Sequence, residues 1–151
     1  MKQHHYKTSL NWTGNTGNGT RSYQTYERSH TIEAPNKVPI PLSSDPAFRG
    51  DSSKFNPEEL LISSVSSCHM LWFLHLCSVS GIIVTAYSDE PEGIMTEATD
   101  GSGKFTSISL HPIVSISDES KRSQLEQIHH DAHKKCFITN SLSVPVTIEF
   151  D

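Results

Sequence analysis

The segment "NPEELLISSVSSCHMLWFLHLC", residues 56 to 77, constrains this chain more than any other. Asn56 is a strong helix N-cap, Pro57 suits the first helical position, and Glu59 completes an N-x-x-E capping box. Gly81 is the natural stop, so the pattern predicts a helix of roughly 23 residues, or about 35 Å at 1.5 Å per residue. Leu61, Val65, Cys68 and Trp72 fall on one side, and Leu60, Leu71, Leu74 and Val79 cover much of the remainder. A helix apolar nearly all round must be buried centrally. Such a helix in a 151-residue chain implies that a second subunit covers part of it.

Length and charge narrow the alternatives. The chain is most simply one domain, residues 1–151. A formal net charge of −5 and the lack of any basic run argue against a nucleic-acid or anionic-membrane surface. The apolar segment carries Ser66, Ser67, His69 and His75 and so lacks the unbroken run of a membrane span. The start, "MKQHHYKTSLNW", has no signal-peptide core. Three cysteines without an export signal suit a reducing cytosol, where a thiol pair is more often catalytic than structural.

Around the helix the patterns are those of strands. "HHYKTSLNWTG" and "RSYQTYERSHTIEA" flank the turn-forming "GNTGNG", which predicts a β-hairpin. Residues 35 to 55 are proline-rich and irregular, with "VPIPLS" as a short edge strand. "IIVTAYSDE", "GIMTEATD" and "KFTSISLHPIVSIS" read as three strands. "SDESKRSQLEQIHHDAHKKC" is a second helix, with Leu125, Ile128, Ala132 and Cys136 on one stripe, and "VPVTIEF" closes as a strand. The expected class is α+β.

Helix geometry sorts the cysteines. Cys68 and Cys77 lie on opposite faces of the first helix, separated by about 13.5 Å of rise, and cannot pair while it is intact. Cys68 and Cys136 each sit on the apolar stripe of their own helix and can meet if the stripes pack. Packing alone would also explain both, because free cysteine is among the most buried residue types; for Cys77 space-filling is the reading. A chemical role for Cys68 needs a cation to ionise it, and His69 points about 100° away.

"NPEELL", a cysteine ten residues after its glutamate in "SSCHM", and "AHKKCFITNSL" before a final strand resemble the OsmC/Ohr family, the osmotically inducible and organic-hydroperoxide-resistance proteins. "SDPAFRGD" and "GIIVTAY" fit it as well, so the resemblance covers nearly the whole chain. It implies an intertwined α+β homodimer with a long central helix buried between β-sheets. It also implies a cysteine-based peroxidase that reduces organic hydroperoxides without a cofactor and is regenerated by a dithiol, such as a lipoyl protein. By position Cys68 matches the peroxidatic cysteine, Cys136 the resolving one and Glu58 the family glutamate. The family arginine falls on Arg49 in "AFRGD", or alternatively on Arg28 in "YERSH". Cys136-Phe137-Ile138-Thr139 stands where the family more often has C-P-V-S. The competing expectation is a non-catalytic dimer that binds an apolar ligand or senses oxidants on the same scaffold.

Glu58 lies about 15 Å from Cys68 along a straight helix. Either the arginine bridges that distance or an antiparallel partner helix contributes its own Glu58; the second is the expectation here. "HHDAHKKC" spaces His129, His133 and Cys136 for a metal, but it lacks a fourth ligand and its polar neighbours suggest a solvated face. "RGD" at residues 49 to 51 reads as a chance tripeptide, and no G-x-S-x-G elbow frames the serines around Cys68.

Overall fold

A computed structural model describes residues 1–150 of the chain. Two compact units divide it, the first ending at Leu60 and the second beginning at Leu61. The first helix starts in one and continues in the other.

In the first unit, β1 (Ser9–Trp12), β2 (His30–Glu33) and β3 (Ile40–Leu42) form an antiparallel sheet in that order. The expected hairpin is present, with β2 much shorter than its sequence pattern and Gly14 through Ser29 looping between the strands. "VPIPLS" supplies the edge strand β3, where Pro41 pairs across from Thr31 without interrupting a central ladder. A 3-10 turn, Pro46–Phe48, follows, capped by the Asp45 carboxylate.

Helix α1 covers Pro57–Val79. Its capping box is formed as the pattern predicts. The Glu59 amide donates to Asn56 Oδ1 at 2.8 Å, and the Asn56 amide donates to Glu59 Oε2 at 3.1 Å. At the other end Gly81 takes φ +68°, and Ile82 N–H reaches Cys77 O at 2.9 Å, a Schellman closure that stops the helix.

The second unit adds β4 (Val84–Ser88), β5 (Glu92–Glu97), β6 (Gly103–Leu110), β7 (Ile113–Ile116), α2 (Leu125–Lys135), α3 (Phe137–Asn140) and β8 (Val146–Ile148). β4 pairs with β7, while β6 is central between antiparallel β5 and parallel β8. The stretch expected as one strand, "KFTSISLHPIVSIS", is two strands belonging to different sheets. It breaks at His111–Pro112, where Pro112 has no amide to offer a ladder and the His111 amide turns to Asp89 Oδ1 at 2.6 Å.

Two apolar clusters hold α1 within this unit. Phe73 and Cys77 pack with Ile82, Ile116, Leu125, Ile128 and Ala132, and Val65 packs with Ile108 and Leu110. The buried stripe of α1 is therefore Val65, His69, Phe73 and Cys77, at four-residue spacing. Cys68 and Trp72 lie beside that stripe and are only partly covered. Leu71 and Val79 are 61% and 68% exposed. By length and composition α1 could cross a membrane. Here its four-residue stripe is packed core, and its Ser66 hydroxyl donates to the Asp89 carboxylate.

Candidate active site

The chain path around Cys136 sets the site. The pattern predicts helix through residue 136, but α2 ends at Lys135 because Cys136 turns to φ −65°, ψ 110°. That extended residue then N-caps the short helix α3 with its own side chain. Cys136 Sγ accepts from the Thr139 amide at 3.4 Å and from Thr139 Oγ1–H at 3.2 Å. The cysteine is fully buried.

Cys68, on α1, is partly open, and both thiols are free. Burial pushes the Cys68 thiol above its ordinary value. The backbone N–H of Ile138 pulls it down, the neighbouring Cys136 thiol pushes it up, and the Phe137 N–H pulls it down again. Cys68, beside the buried stripe of α1, thus lies close to Cys136, the residue just past the end of α2. The Phe137 and Ile138 amides favour the charged form of Cys68, and the Thr139 amide donates to Cys136 Sγ.

Aromatic side chains flank this pair. Trp72, one helical turn beyond Cys68, meets Phe137 edge-on at 5.6 Å, and Lys135 Nζ lies 5.5 Å from the Trp72 ring. Phe137 is 66% exposed. Of the apolar residues that share the Cys68 side of α1 in the sequence pattern, Val65 is wholly consumed by the core, and Leu61 lines a separate groove with Phe105 and Leu142.

Cys77 is 1% exposed in an apolar cluster that pushes its thiol up to about 11, so it stays protonated and unreactive.

In the first unit, Arg28 and Arg49 both line a cavity of about 570 Å³. The Arg28 guanidinium is committed. It donates to the carbonyls of Tyr26 and Tyr23 at 2.5 and 2.7 Å and stacks 4.0 and 4.3 Å from the two tyrosine rings. Arg49 caps the 3-10 turn at φ +64°, with its guanidinium 5.9 Å from the Tyr23 ring and no hydrogen bond to the described residues. "RGD" is a structural turn. A Cβ on Gly50 would fall 1.6 Å from Ser44 O, and the Ser53 hydroxyl and amide, with Lys54, hold the Asp51 carboxyl down to about 2.

Sequence reasoning missed one buried pair. His69 and His129 are 1% and 2% exposed, their rings stack 8° from parallel, and His69 Nε2 meets His129 Nδ1 at 3.0 Å. Phe73 and Phe150 sandwich the His129 ring at 4.1 and 4.7 Å. Burial is the main reason both imidazoles are neutral, His69 pushed down to about 4 and His129 to about 3. The solvated face expected for "HHDAHKKC" holds for His130 and Lys134 but not for His129. Its ring lies on the Leu125–Ile128–Ala132 side, one turn from Leu125, and that spacing was the available signal. With Nδ1 given to His69, His129 does not join His133 and Cys136 as a metal set, and among the described residues no such cluster forms.

The OsmC-like protein family matches residues 50–151, a span that contains Glu58, Cys68 and Cys136. The chain belongs to the OsmC-like family. An OsmC-like protein of unknown function from Vibrio cholerae is 31% identical, covers 99% of this chain and 100% of its own, and superposes with a TM-score of 0.89. The protein YmaD of Bacillus subtilis, itself uncharacterised, is 23% identical over 154 residues, which is 100% of this chain and 95% of YmaD. The organic hydroperoxide resistance protein OhrB of B. subtilis is 18% identical over 97% of this chain and 98% of its own, with a TM-score of 0.64. At that identity the likeness carries the fold.

Proposed function

We propose that this OsmC-like chain is a thiol-dependent peroxidase that reduces organic hydroperoxides to alcohols. The observation that supports it best is the partly open Cys68 close to the buried Cys136 at the start of α3. The Cys68 thiolate attacks the terminal oxygen of R–O–O–H. The O–O bond breaks, ROH leaves with a proton, and Cys68 becomes a sulfenic acid. Cys136 attacks that sulfur and expels hydroxide, which leaves as water, and a Cys68–Cys136 disulfide forms. A dithiol then returns two electrons and two protons. Trp72 and Phe137 favour hydroperoxides with apolar groups over hydrogen peroxide.

Within its own surroundings the Cys68 thiol is raised, so the reaction needs a cation at the sulfur. Arg49 fills that role in this reading, because Arg28 is already bound to two carbonyls and two rings. Glu58 orients the guanidinium. The working unit is a homodimer. The solvent-facing Leu71 and Val79 of α1 and the half-covered Trp72, Leu74 and Leu76 leave that helix a face for a second copy. The raised Cys68 thiol also favours a second reading, an apolar-ligand or oxidant-sensing dimer in which turnover is absent. A single exposure to cumene hydroperoxide followed by thiol counting separates the two. The peroxidase loses two thiols per chain and yields one cumyl alcohol; unchanged thiols would sink the peroxidase reading.

A further inference from the structure

The start of α3 treats the two sulfurs unequally. Cys136 alone receives a side-chain donor, Thr139 Oγ1–H at 3.2 Å, in addition to an amide from the same residue at 3.4 Å. Hydrogen bonds to an ionised acceptor are about twice as strong as those to a neutral one, so both Thr139 donors strengthen when charge arrives on Cys136 Sγ as the disulfide breaks. The two sulfurs also differ in access, since Cys136 is 0% exposed and Cys68 is partly open. In thiol–disulfide exchange the attacked sulfur must be reachable, and the better-stabilised thiolate leaves faster. Both conditions select the same direction.

We propose that Thr139 is a positioning residue that holds Cys136 as the leaving thiolate when the disulfide is reduced, so that an incoming dithiol attacks Cys68 and not Cys136. The thiolate of the dithiol bonds to Cys68 Sγ as the S–S bond breaks, and the bonding pair passes to Cys136 Sγ, where Thr139 holds it by two hydrogen bonds. A mixed disulfide then joins Cys68 to the dithiol. The second thiol of the dithiol attacks its own mixed-disulfide sulfur, closes a cyclic disulfide and releases Cys68. The dithiol loses two electrons and two protons, and the protein gains both. By the same hydrogen bonds Thr139 presents Cys136 as nucleophile to the Cys68 sulfenic acid in the forward direction. The physiological setting rests on the peroxidase reading, but the exchange chemistry is a property of the two thiols alone.

The test uses the full chain, oxidised with diamide in the absence of any hydroperoxide. Reduction by dihydrolipoamide is followed for the parent, Thr139→Val and Thr139→Ser. Loss of one hydrogen bond to the leaving thiolate should slow Thr139→Val on the order of tenfold, the equivalent of about 1.4 kcal/mol, and Thr139→Ser should recover to within about twofold. A brief pulse of a monothiol, quenched in acid and mapped by mass spectrometry, should find the mixed disulfide on Cys68. That mapping needs only the parent protein, so it decides the direction of attack even if Thr139→Val does not fold. A mixed disulfide on Cys136, a Thr139→Val variant as fast as the parent, a Thr139→Ser variant as slow as Thr139→Val, or a parent in which diamide forms no Cys68–Cys136 disulfide would each overturn the proposal. A chain that passes these tests but leaves cumene hydroperoxide intact overturns the peroxidase reading instead.

Discussion

The buried His69–His129 pair makes the stability of the second unit depend on pH in a calculable way. Both imidazoles are neutral in the folded chain, His69 pushed down to about 4 and His129 to about 3, against 6.5 in an exposed chain. The unfolded state therefore binds more protons than the folded one between roughly pH 6.5 and pH 4, and stability falls as pH falls through that window. From about pH 7.5 to about pH 5 each histidine costs about 2 kcal/mol, or about 4 kcal/mol for the pair. His133 and His130 nearby push in the same direction, and Asp89 partly offsets them at His69. With a urea slope of about 2 kcal/mol per molar, the unfolding midpoint at fixed protein concentration should drop by about 2 M between those pH values. Replacing both rings by apolar groups, as in His69→Leu with His129→Phe, removes the linkage without leaving a lone polar partner, so most of the drop should vanish. A parent midpoint that does not move with pH, or a double variant that keeps the parent's slope, would refute the reasoning.

Thiol substitutions separate the roles of the three cysteines. Cys68→Ser should abolish hydroperoxide reduction, whereas Cys136→Ser should allow one turnover and then accumulate over-oxidised Cys68, visible as an added mass. Cys77→Ser should cost about 1–3 kcal/mol in a denaturation curve, for a hydroxyl buried among apolar groups, while keeping nearly full activity. Loss of activity as complete as in Cys68→Ser would show the wrong thiols were paired. Arg49→Ala should slow reduction, with partial recovery at higher pH as alkali ionises Cys68 unaided. Arg28→Ala should instead disturb the Tyr23–Tyr26 loop, and a silent Arg49→Ala beside a crippled Arg28→Ala would reverse the assignment.

Most of what was legible in the sequence was local and carried its own stereochemistry. The Asn56–Glu59 box and the Gly81 stop bound α1 because their hydrogen bonds join residues close in the chain. The Leu125–Ile128–Ala132 stripe was readable because polar residues surround it, and it packs into the core with Phe73 and Cys77 as the pattern predicts. The packed face of α1 was not readable, because a helix apolar on every side has no contrast to show which stripe turns inward. His69 was passed over for that reason, although its four-residue spacing from Val65 and Phe73 places it on the core stripe. The break at Cys136 was hidden because a cysteine is no usual N-cap, and its partner Thr139 looks like any threonine in a helical pattern until the backbone turns.

The incomplete cover of α1 leads to the last prediction. Glu58 and Cys68 share this helix, ten residues apart, and a straight helix keeps them about 15 Å from each other. A carboxylate that orients a cation at the Cys68 sulfur therefore comes either through a long bridge or from another copy. An antiparallel second α1 would bring its Glu58 end toward the Cys68 of the first and cover the exposed Leu71 and Val79 in the same step. The chain should then be an obligate homodimer with two shared sites and little folded monomer at working concentrations. Co-refolding inactive Cys68→Ser chains with inactive Glu58→Ala chains tests this directly. In a shared-site heterodimer one site inherits both lesions and the other inherits neither, so about half of the parent activity per heterodimer should return. Verified heterodimers that stay inactive, or a stable folded monomer in sedimentation, would rule out the shared site and return Glu58 to a role at its own helix N-terminus, where the dipole alone favours a carboxylate.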